Sequence, residues 1–454
     1  MILSPNSLSQ RSLRSVWHPC TQMKQHEKLP PLAIVRGEGA WLQDENGDRY
    51  LDGISSWWVN LFGHANPRIN GALIDQLGKL EHAMISGCTH APVVELSERL
   101  ATLTEHNLGH AFYGSDGASA VEIALKMSAH YWRNKGLPDK HRFVYLEQSY
   151  HGETLGALSV TDVDVFRHAY HPLLQHAFMA PSPDARKAAT PGKAACNAIH
   201  AMNALLEEHA GEIAAVIVEP LVQCATGMAM HDPSYLQQLR ILCDRHQVHL
   251  IADEIAVGCG RTGSFFACEQ AGIWPDFLCL SKGITGGYLP LSLVLTRDAI
   301  YQAFYDDDVR MGFLHSHSYT GNPLACRAAL ACLDTFESDD VLCMNELLAE
   351  RLENALQPLA SHAAVRNARR QGLIWAFDVE PQAIPAISAD DAVNGMAGGS
   401  FAQRYHLAAR RHGLLLRPIG HTLYLMPPYI LNHSEVTHLA HGALESLEDV
   451  LKPA

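Results

Sequence analysis

Residues 248–287 (VHLIADEIAVGCGRTGSFFACEQAGIWPDFLCLSKGITGG) constrain the fold more than any other stretch of the chain. Two apolar runs of strand length lie here, at 248–252 and 277–280, and a charged residue follows each run: Asp253 and Lys282. Strands of a buried parallel sheet are covered on both faces, so they consist of continuous apolar runs. Ligands bind such sheets just beyond the carboxyl ends of the strands. The stretch therefore predicts an α/β fold in which Asp253 and Lys282 share one pocket.

A lysine and an aspartate in one pocket suit the chemistry of pyridoxal phosphate (PLP). The lysine forms a Schiff base with the aldehyde, and the aspartate keeps a proton on the pyridine nitrogen so that the ring acts as an electron sink. Each residue alone has an ordinary explanation, because most lysines are exposed and an aspartate after a strand often caps a helix. Their combination favours the functional interpretation.

A glycine pattern in the same stretch suggests a different ligand. Gly258, Gly260 and Gly263 match the GxGxxG motif of dinucleotide sites. That motif lies directly between a strand and a helix and is followed by an acid about 20 residues later. Here Asp253 precedes the glycines and no strand–helix–strand unit starts at them. We therefore expect no nucleotide site.

Composition excludes several classes of protein. The 454 residues carry a net charge of −14, which argues against nucleic acid or an anionic membrane as a partner. Eleven cysteines without a CxxC motif predict a reduced, cytoplasmic protein, and residues 1–15 lack the apolar segment of a signal peptide. No run approaches the ~18 apolar residues of a membrane span. HExxH and zinc-finger spacings are absent, and we predict no metal site.

Three further segments carry residues that suit a ligand but also have a structural explanation. Residues 114–119 (GSDGAS) precede a helical pattern, and they either bind a phosphate at the helix N-terminus or simply cap the helix. Tyr150 follows a predicted strand at 143–147 and either stacks on a planar ring or packs in the core. Trp57 and Trp58 belong either to the core or to a pocket wall. The sequence leaves these alternatives open.

The order of predicted elements divides the chain into three parts. Residues 1–66 form an N-terminal segment, alternating helices and strands over 67–336 form a large domain, and residues 337–454 form a smaller one with a glycine-rich break at 395–400. In the smaller domain Arg417 interrupts an apolar strand. A buried arginine is rare without a partner, so Arg417 either pairs with a carboxylate of the chain or holds a substrate carboxylate.

Taken together, the motifs resemble the class III (fold-type I) PLP-dependent aminotransferases over nearly the whole chain. The motifs that carry the resemblance are SDGASAVEIALKM (115–127), YHGET (150–154), ADEIAVGCGRTG (252–263), LSKGITGG (280–287) and GNPLA (321–325). The resemblance implies a large PLP domain with a mainly parallel central sheet and a smaller α+β domain.

The resemblance also implies a role for each matching residue. Lys282 would carry the cofactor and then act as base, Asp253 would bind the pyridine nitrogen, and Tyr150 would take part in catalysis. Cofactor contacts would come from Tyr150 and Ile255 on the two ring faces and from the amides of Gly117 and Ala118 at the phosphate. His317 and Ser318 would reach the cofactor from a neighbouring subunit, which implies a homodimer. The implied substrate contacts are Cys20, Tyr150, Lys282, Trp57, Trp58, Arg261 near the entrance, Ser316, and Arg417 at the carboxylate.

A second set of motifs points to one branch of the family. These are WHP (17–19), SSWW (55–58), THAP (89–92) and LYLMPPYI (423–430). They resemble members that act in biotin biosynthesis, which implies 8-amino-7-oxononanoate as acceptor and S-adenosylmethionine as donor. One departure is Cys20, where the branch usually has a tyrosine, and a thiol is a weaker and shorter donor. Two alternatives therefore stay open: the same acceptor with lysine as donor, or another class III ω-aminotransferase.

Overall fold

The computed structural model describes residues 7–27, 29–385 and 400–452. The strands are β1 (Ile34–Glu38), β2 (Trp41–Asp44), β3 (Arg49–Asp52), β4 (His110–Gly114), β5 (Arg142–Leu146), β6 (Phe178–Ala180), β7 (Ile213–Val218), β8 (Val222–Gln223), β9 (Ala229–Met230), β10 (His249–Asp253), β11 (Phe277–Leu280), β12 (Ser292–Thr296), β13 (Val365–Gln371), β14 (Ile374–Val379), β15 (Leu414–Leu415) and β16 (Thr422–Leu425).

The right-handed helices are α1 (Leu8–Ser15), α2 (Pro67–Leu77), α3 (Ala91–Leu103), α4 (Gly117–Asn134), α5 (Leu155–Ser159), α6 (Asp164–Arg167), α7 (Pro191–His209), α8 (Pro233–His246), α9 (Asp298–Tyr301), α10 (Pro323–Ser338), α11 (Val341–Ala360), α12 (Phe401–Arg411) and α13 (His433–Leu451). Short 3-10 helices occur at Met23–Glu27, His168–Leu173, Ala185–Lys187, Ala267–Ala271, Lys282–Thr285, Val309–Met311 and Pro381–Ala383.

A seven-stranded sheet, in the order β4-β12-β11-β10-β7-β5-β6, forms the centre of the large domain. Strands β11, β10, β7, β5 and β6 pair in parallel, whereas β12 is antiparallel to both of its neighbours. This confirms the predicted α/β fold with a mainly parallel sheet. A unit of strand, helix and parallel strand, formed by β7, α8 and β10, ends at Asp253.

Both faces of the sheet are covered, which explains the continuous apolar runs in its strands. Along β10, Leu250 lies in the core on one face and Ile251 in the core on the other, and both are 0% exposed. Helix α4 packs on the face of Ile251 through residues such as Val121 and Ala124. Helices α7, α8 and α10 contribute to the core on the opposite face.

Several helices begin at sites that the sequence encodes with two adjacent residues. In α2, α7, α8 and α10 a polar side chain caps the helix and proline is the first helical residue: Asn66-Pro67, Thr190-Pro191, Asp232-Pro233 and Asn322-Pro323. The side-chain oxygen accepts a free N–H of the first turn, and proline has no N–H to satisfy there. These starts position the helices that flank the sheet.

The N-terminal segment joins the C-terminal part of the chain. Strand β3 pairs in parallel with β15, so that Leu51 lies opposite Leu414 and Asp52 opposite Leu415. The division at residues 66 and 336 stays a prediction. The predicted glycine-rich break falls on residues 395–399, which lie outside the described residues, and on Ser400, which caps α12.

One prediction for this region is wrong. Arg417 does not interrupt a buried strand, because β15 ends at Leu415 and the Arg417 side chain is exposed. The strand is short because residues 416–421 turn back toward β16, where Ile419 bridges to Thr422. In the ranges that the structure describes, no helix is long and apolar enough to cross a membrane.

The first testable consequence concerns Asp276, a buried carboxylate that ties α8 to the sheet. Its Oδ2 accepts hydrogen bonds from Arg240 and from the Leu250 N–H, each at 2.8 Å. Asp276→Ala leaves Arg240 buried without this partner, which costs roughly 3–5 kcal/mol for a buried ion pair. We expect a clear fall in the melting temperature. The control is Asp75→Ala, which breaks an exposed pair with Lys79 and costs less than about 1 kcal/mol; equal losses in both variants would contradict the assignment.

Candidate active site

The carboxyl ends of four neighbouring parallel strands meet at one cavity of about 450 Å³. Glu219 follows β7, Asp253 ends β10, Lys282 follows β11, and Tyr150 and His151 lie in the loop after β5. All five residues line the cavity. The structure therefore brings Asp253 and Lys282 together as the sequence predicted.

Asp253 is held by a histidine that the sequence analysis did not single out. Its Oδ2 lies 2.7 Å from Nδ1 of His151, and its Oδ1 accepts the N–H of Ile255 at 3.1 Å. Both side chains are buried. Because His151 contacts Asp253 through Nδ1, its Nε2 faces away from the carboxylate, and this buried atom has no hydrogen-bond partner among the described residues. The contact fixes the orientation of the Asp253 carboxylate in the cavity wall.

Lys282 lies in an environment that favours an uncharged amine. Desolvation lowers its pKa from the ordinary lysine value, although the nearby Asp253 carboxylate acts in the opposite direction. Its Nζ lies 5.0 Å from the centre of the Trp58 ring, and its backbone φ of 42° falls in the left-handed region. A partly neutral amine is the form of lysine that attacks a carbonyl. Strained backbone of this kind is common at functional sites.

Glu219 is a second buried acid in the cavity wall. It accepts the N–H of Tyr150 and the N–H of Cys224, each at 3.0 Å. Burial raises the pKa of Glu219, His151 lowers it and the Asp253 carboxylate raises it, and the resulting pKa is about 7. Glu219 therefore connects the loop after β5 to the chain after β7.

The N-terminus of α4 closes another wall of the cavity. Asp116 caps this helix by accepting the N–H of Ser119 at 2.9 Å, and Gly117 and Ala118 line the cavity at its first turn. The first amides of a helix have no partner within the helix and attract anions. A Cβ atom on Gly117 would come within 3.0 Å of Ile255, so glycine is needed for this close approach. The helix cap and the anion site, which the sequence left as alternatives, are thus compatible.

Gly152 and Ala118 pack directly against each other behind this wall. Gly152 has a φ of 122°, and a Cβ there would lie 2.6 Å from the Cβ of Ala118. The contact presses the loop that carries Tyr150 and His151 against α4. It explains why the loop needs glycine at this position.

A group of polar side chains lies at the mouth of the cavity. The Tyr150 hydroxyl donates to Glu153 Oε1 at 3.0 Å, and the Cys20 thiol lies 3.8 Å from the same oxygen. Burial, followed by the Glu153 carboxylate, raises the pKa of both Tyr150 and Cys20. Cys20 is thus linked to the site by its contact with Glu153. The sequence analysis did not predict a role for Glu153.

Trp57 and Trp58 lie on a turn of left-handed helix. Residues Ser55, Ser56, Trp57 and Trp58 have φ values of 51°, 46°, 71° and 75°. Each left-handed residue costs roughly 1–2 kcal/mol, so the turn needs support from its surroundings. Trp58 is buried and lines the cavity, whereas Trp57 is 48% exposed. The two tryptophans therefore belong to a pocket wall, and only Trp58 also belongs to the core.

Trp57 faces a second cavity of about 530 Å³, between the N-terminal segment and the C-terminal part of the chain. Arg417 lines this cavity, and its guanidinium carbon lies 5.6 Å from the centre of the Trp57 ring. Arg410 lines it too, and the described lining contains no carboxylate. The sequence left two alternatives for Arg417, a pair with a carboxylate of the chain or contact with a substrate carboxylate. Among the described contacts, Arg417 pairs with no carboxylate of the chain.

Arg261 lies deeper than the sequence predicted. It is 1% exposed, donates to the carbonyl of Pro427 at 2.6 Å and lies 3.4 Å from Ser55 Oγ. In this chain it is therefore beneath the Ser55–Trp58 turn and not near an entrance. The GCGRTG loop that contains it leads into Ser264 and Phe265 and starts no helix, so it has no strand–turn–helix geometry.

The loop with His317 approaches the same edge of the sheet from outside. His317 Nδ1 lies 3.3 Å from Ser115 Oγ, and His317 Nε2 lies 3.3 Å from His315 Nε2. Ser316 and Ser318 are exposed, and neither is among the residues that line the first cavity. Within the described chain, no group of three or more His, Cys, Asp or Glu residues could hold a metal ion.

Comparison with known proteins identifies the family. A family model described as aminotransferase class-III matches residues 22–451. This chain is a class-III aminotransferase. An adenosylmethionine-8-amino-7-oxononanoate aminotransferase of Helicobacter pylori is 44% identical over 98% of this chain and 99% of its own length. A protein of the same name from Geobacter sulfurreducens is 40% identical over 96% of each chain.

Solved structures agree with this family. The crystal structure of an adenosylmethionine-8-amino-7-oxononanoate aminotransferase from Methanocaldococcus jannaschii has a TM-score of 0.89 and 33% identity, covering 98% of this chain and 99% of that one. An amine transaminase from an uncultivated Pseudomonas species, in its PLP-bound form, has a TM-score of 0.87 and 32% identity over 96% and 99% of the two chains.

The residues of the first cavity fit PLP, the cofactor of this class-III aminotransferase. The cavity offers an amine with a lowered pKa in Lys282 and a carboxylate oriented by His151 in Asp253. The first-turn amides of α4 are available for a phosphate, and Gly117 leaves the space below Ile255 open. Each chemical part of the cofactor thus has a matching group.

The buried acid Glu219 gives a testable pH dependence. Its pKa is about 7 in the folded chain and near 4.5 in the unfolded chain, so the folded state holds the proton between these values. Stability from this group is therefore complete below pH 4.5 and is lost as pH rises to about 7. A shift of this size corresponds to roughly 3 kcal/mol.

We expect Glu219→Gln to remove this loss. Without added ligand, the free energy of unfolding of the variant should increase relative to that of the wild type as pH rises from 4.5 to 7. Glu254, whose pKa is also about 7, is unchanged and cancels in the comparison. A difference between variant and wild type that is constant with pH would contradict the assignment.

Proposed function

We propose that this aminotransferase transfers an amino group to 8-amino-7-oxononanoate, giving 7,8-diaminononanoate for biotin biosynthesis, with S-adenosylmethionine as the donor. Relatives at 44% and 40% identity that carry this name match this chain over nearly its whole length, which is the observation that carries the proposal. The cavity with Lys282 and Asp253, next to a cationic cavity at Arg417, agrees with it.

PLP, when bound, supplies an electron sink for the carbon that exchanges its amino group. Asp253, oriented by His151, would hold a proton at the ring nitrogen. Lys282 would bind the cofactor and then remove and return the proton at the reacting carbon, a task that its lowered pKa favours. Tyr150 and Ile255 would flank the ring, and the amides of Gly117 and Ala118 would bind the phosphate.

The shape of the acceptor matches the arrangement of the two cavities. 8-Amino-7-oxononanoate has a ketone near one end, a carboxylate at the other and an apolar chain between them. Trp57 and Trp58 lie on the same turn. Trp58 lies beside Lys282, and Trp57 lies beside Arg417. The apolar chain would lie along the tryptophans, and Arg417 would bind the carboxylate with a charge-assisted hydrogen bond.

The donor is the part of the proposal that depends on Cys20. Glu153 brings Cys20 and Tyr150 together at the mouth of the cavity and offers a carboxylate to a cationic donor. S-Adenosylmethionine and lysine both carry a positive charge that this carboxylate could bind. Lysine is therefore the second candidate donor, favoured by the thiol that stands where a tyrosine is usual.

The proposal includes a cytoplasmic homodimer. Large apolar side chains are exposed on the outer loop that carries His317 and Ser318, including Leu314 at 77% and Tyr319 at 63%. A second copy would cover this surface and bring His317, Ser318 and Ser316 to the site of its partner. All eleven cysteines are free thiols, in keeping with a reducing compartment.

The direct test offers the purified protein 8-amino-7-oxononanoate with S-adenosylmethionine, lysine or alanine in parallel reactions. We expect 7,8-diaminononanoate with S-adenosylmethionine, measured by mass spectrometry. If product forms only with lysine, lysine is the donor instead of S-adenosylmethionine. If no donor gives product, the assignment of 8-amino-7-oxononanoate as acceptor is wrong. Lys282→Ala is the control and should form no product while it still binds PLP; turnover in this variant would reject the role of Lys282.

Arg417→Ala tests the contact with the acceptor. Loss of a hydrogen bond to a charged group costs about 1.5–3 kcal/mol, so the KM for 8-amino-7-oxononanoate should rise roughly 10- to 100-fold. The KM for the donor is measured in the same series. Arg411→Ala, which removes an exposed arginine bonded to Asp449, serves as the control. An unchanged KM for the acceptor would assign Arg417 a structural role.

A further inference from the structure

The left-handed turn that carries the tryptophans is held by three separate anchors. Ser55 Oγ donates to the carbonyl of Met426 at 2.7 Å, and Trp58 Nε1 donates to the hydroxyl of Tyr424 at 3.2 Å. The third anchor is Asp52, at the end of β3, which binds the residue between them, Ser56. The first two anchors fix the ends of the turn, and Asp52 fixes its middle.

Both oxygens of the buried Asp52 carboxylate bind this turn. It is 0% exposed, its Oδ1 accepts the N–H of Ser56 at 2.8 Å, and its Oδ2 accepts the Ser56 hydroxyl at 2.6 Å. His64, which is outside the turn, also contacts Oδ2 through its Nε2 at 3.0 Å. Charge-assisted hydrogen bonds to an ionised acceptor are stronger and more directional than neutral ones.

The position of Trp57 depends on the backbone at Ser56. Trp57 directly follows Ser56 and is 48% exposed, and its ring makes a cation–π contact with Arg417 but no hydrogen bond among the described contacts. Trp58, by contrast, is buried and has its own bond to Tyr424. A change in φ at Ser56 would therefore move Trp57 much more than Trp58.

Each of the two tryptophans contacts a different cationic side chain. Trp58 lies over Lys282, at a distance of 5.0 Å, and Trp57 lies over Arg417, at 5.6 Å. In an extended chain, adjacent side chains would point to opposite faces. The left-handed turn instead places one ring beside Lys282 and the next beside Arg417, so the placement of each ring against its cation depends on the geometry of the turn.

We propose that Asp52, held by His64, is a positioning residue that sets Trp57 against Arg417 and thereby determines the affinity for a long acceptor with a terminal carboxylate. Asp52 does not touch the reacting atoms; it acts through Ser56 and Trp57. The inference rests on the proposed function, because it assigns the second cavity to the acceptor. It adds a determinant of specificity that lies outside both cavity linings.

The test is Asp52→Asn, which keeps the size of the side chain but loses the charge and one acceptor. With the donor saturating, the KM for 8-amino-7-oxononanoate should rise about tenfold while kcat stays within about threefold. Ser56→Ala, which removes only the hydroxyl contact, should shift KM in the same direction by less. Equal loss of kcat and of kcat/KM would overturn the proposal, since it would mean that Asp52 affects the reaction itself.

Asp44→Asn is the matched control. Asp44 is also a buried carboxylate at the end of a strand of the same sheet, and it accepts two backbone N–H groups and the Tyr50 hydroxyl. It lies in the hairpin between β2 and β3, away from both cavities. This variant should lose stability as Asp52→Asn does, with the KM unchanged. If the control raises KM by the same amount, the effect of Asp52→Asn follows from lost stability and not from the position of Trp57, and the proposal is overturned.

A double-mutant comparison tests whether Asp52 acts through Trp57. In the Trp57→Ala background, Asp52→Asn should produce no further rise in KM and no further change in the tryptophan band of the near-ultraviolet circular dichroism spectrum. Additive effects would overturn the proposal. The spectra need no turnover, so a protein inactive on 8-amino-7-oxononanoate would refute the proposed function while the positioning of Trp57 by Asp52 is still tested.

Discussion

The geometry of this site depends on one buried contact, the 2.7 Å contact between Asp253 and His151. A buried carboxylate without partners is costly, and Asp253 obtains them from an imidazole and from the N–H of Ile255. The two residues meet because β10 and the loop after β5 end at the same edge of a parallel sheet. Strand order therefore creates the contact, and Lys282, at the end of the neighbouring strand β11, shares the same edge.

The site combines parts of different rigidity. Asp253, Glu219 and Lys282 follow directly from strands whose two faces are buried, so their positions are fixed by the core. The side chains proposed to contact the acceptor chain lie on a left-handed turn and after the short strand β15. Precise placement of reacting groups favours regular elements. The residues proposed to react therefore lie at the ends of sheet strands, and those proposed to recognise the length of the acceptor lie outside the sheet.

Much of this arrangement could be predicted from the sequence, because apolar runs and the charges that end them identify both strands and the residues at their ends. The run at 277–280 is β11, and Asp253 and Lys282 share a cavity. Other contacts could not be predicted, because they join residues distant along the chain. Hydrophobic periodicity does not predict the hydrogen bond from the Tyr150 N–H to Glu219, the burial of Arg261 under a turn, or the exposure of Arg417. The four left-handed residues carry no glycine to mark them.

The second cavity is lined by residues from 21–26 and 29–32, by C-terminal residues from 402–424, and by Ile54, Ser56 and Trp57. No strand of the central sheet is among its described lining residues. Mutations in its walls therefore leave the strand ends around Lys282 untouched. On the proposed assignment of this cavity to the acceptor, selection can alter which acceptors fit without changing the residues proposed to transfer the proton. With that assignment, acceptors of different lengths can be served by one reactive centre.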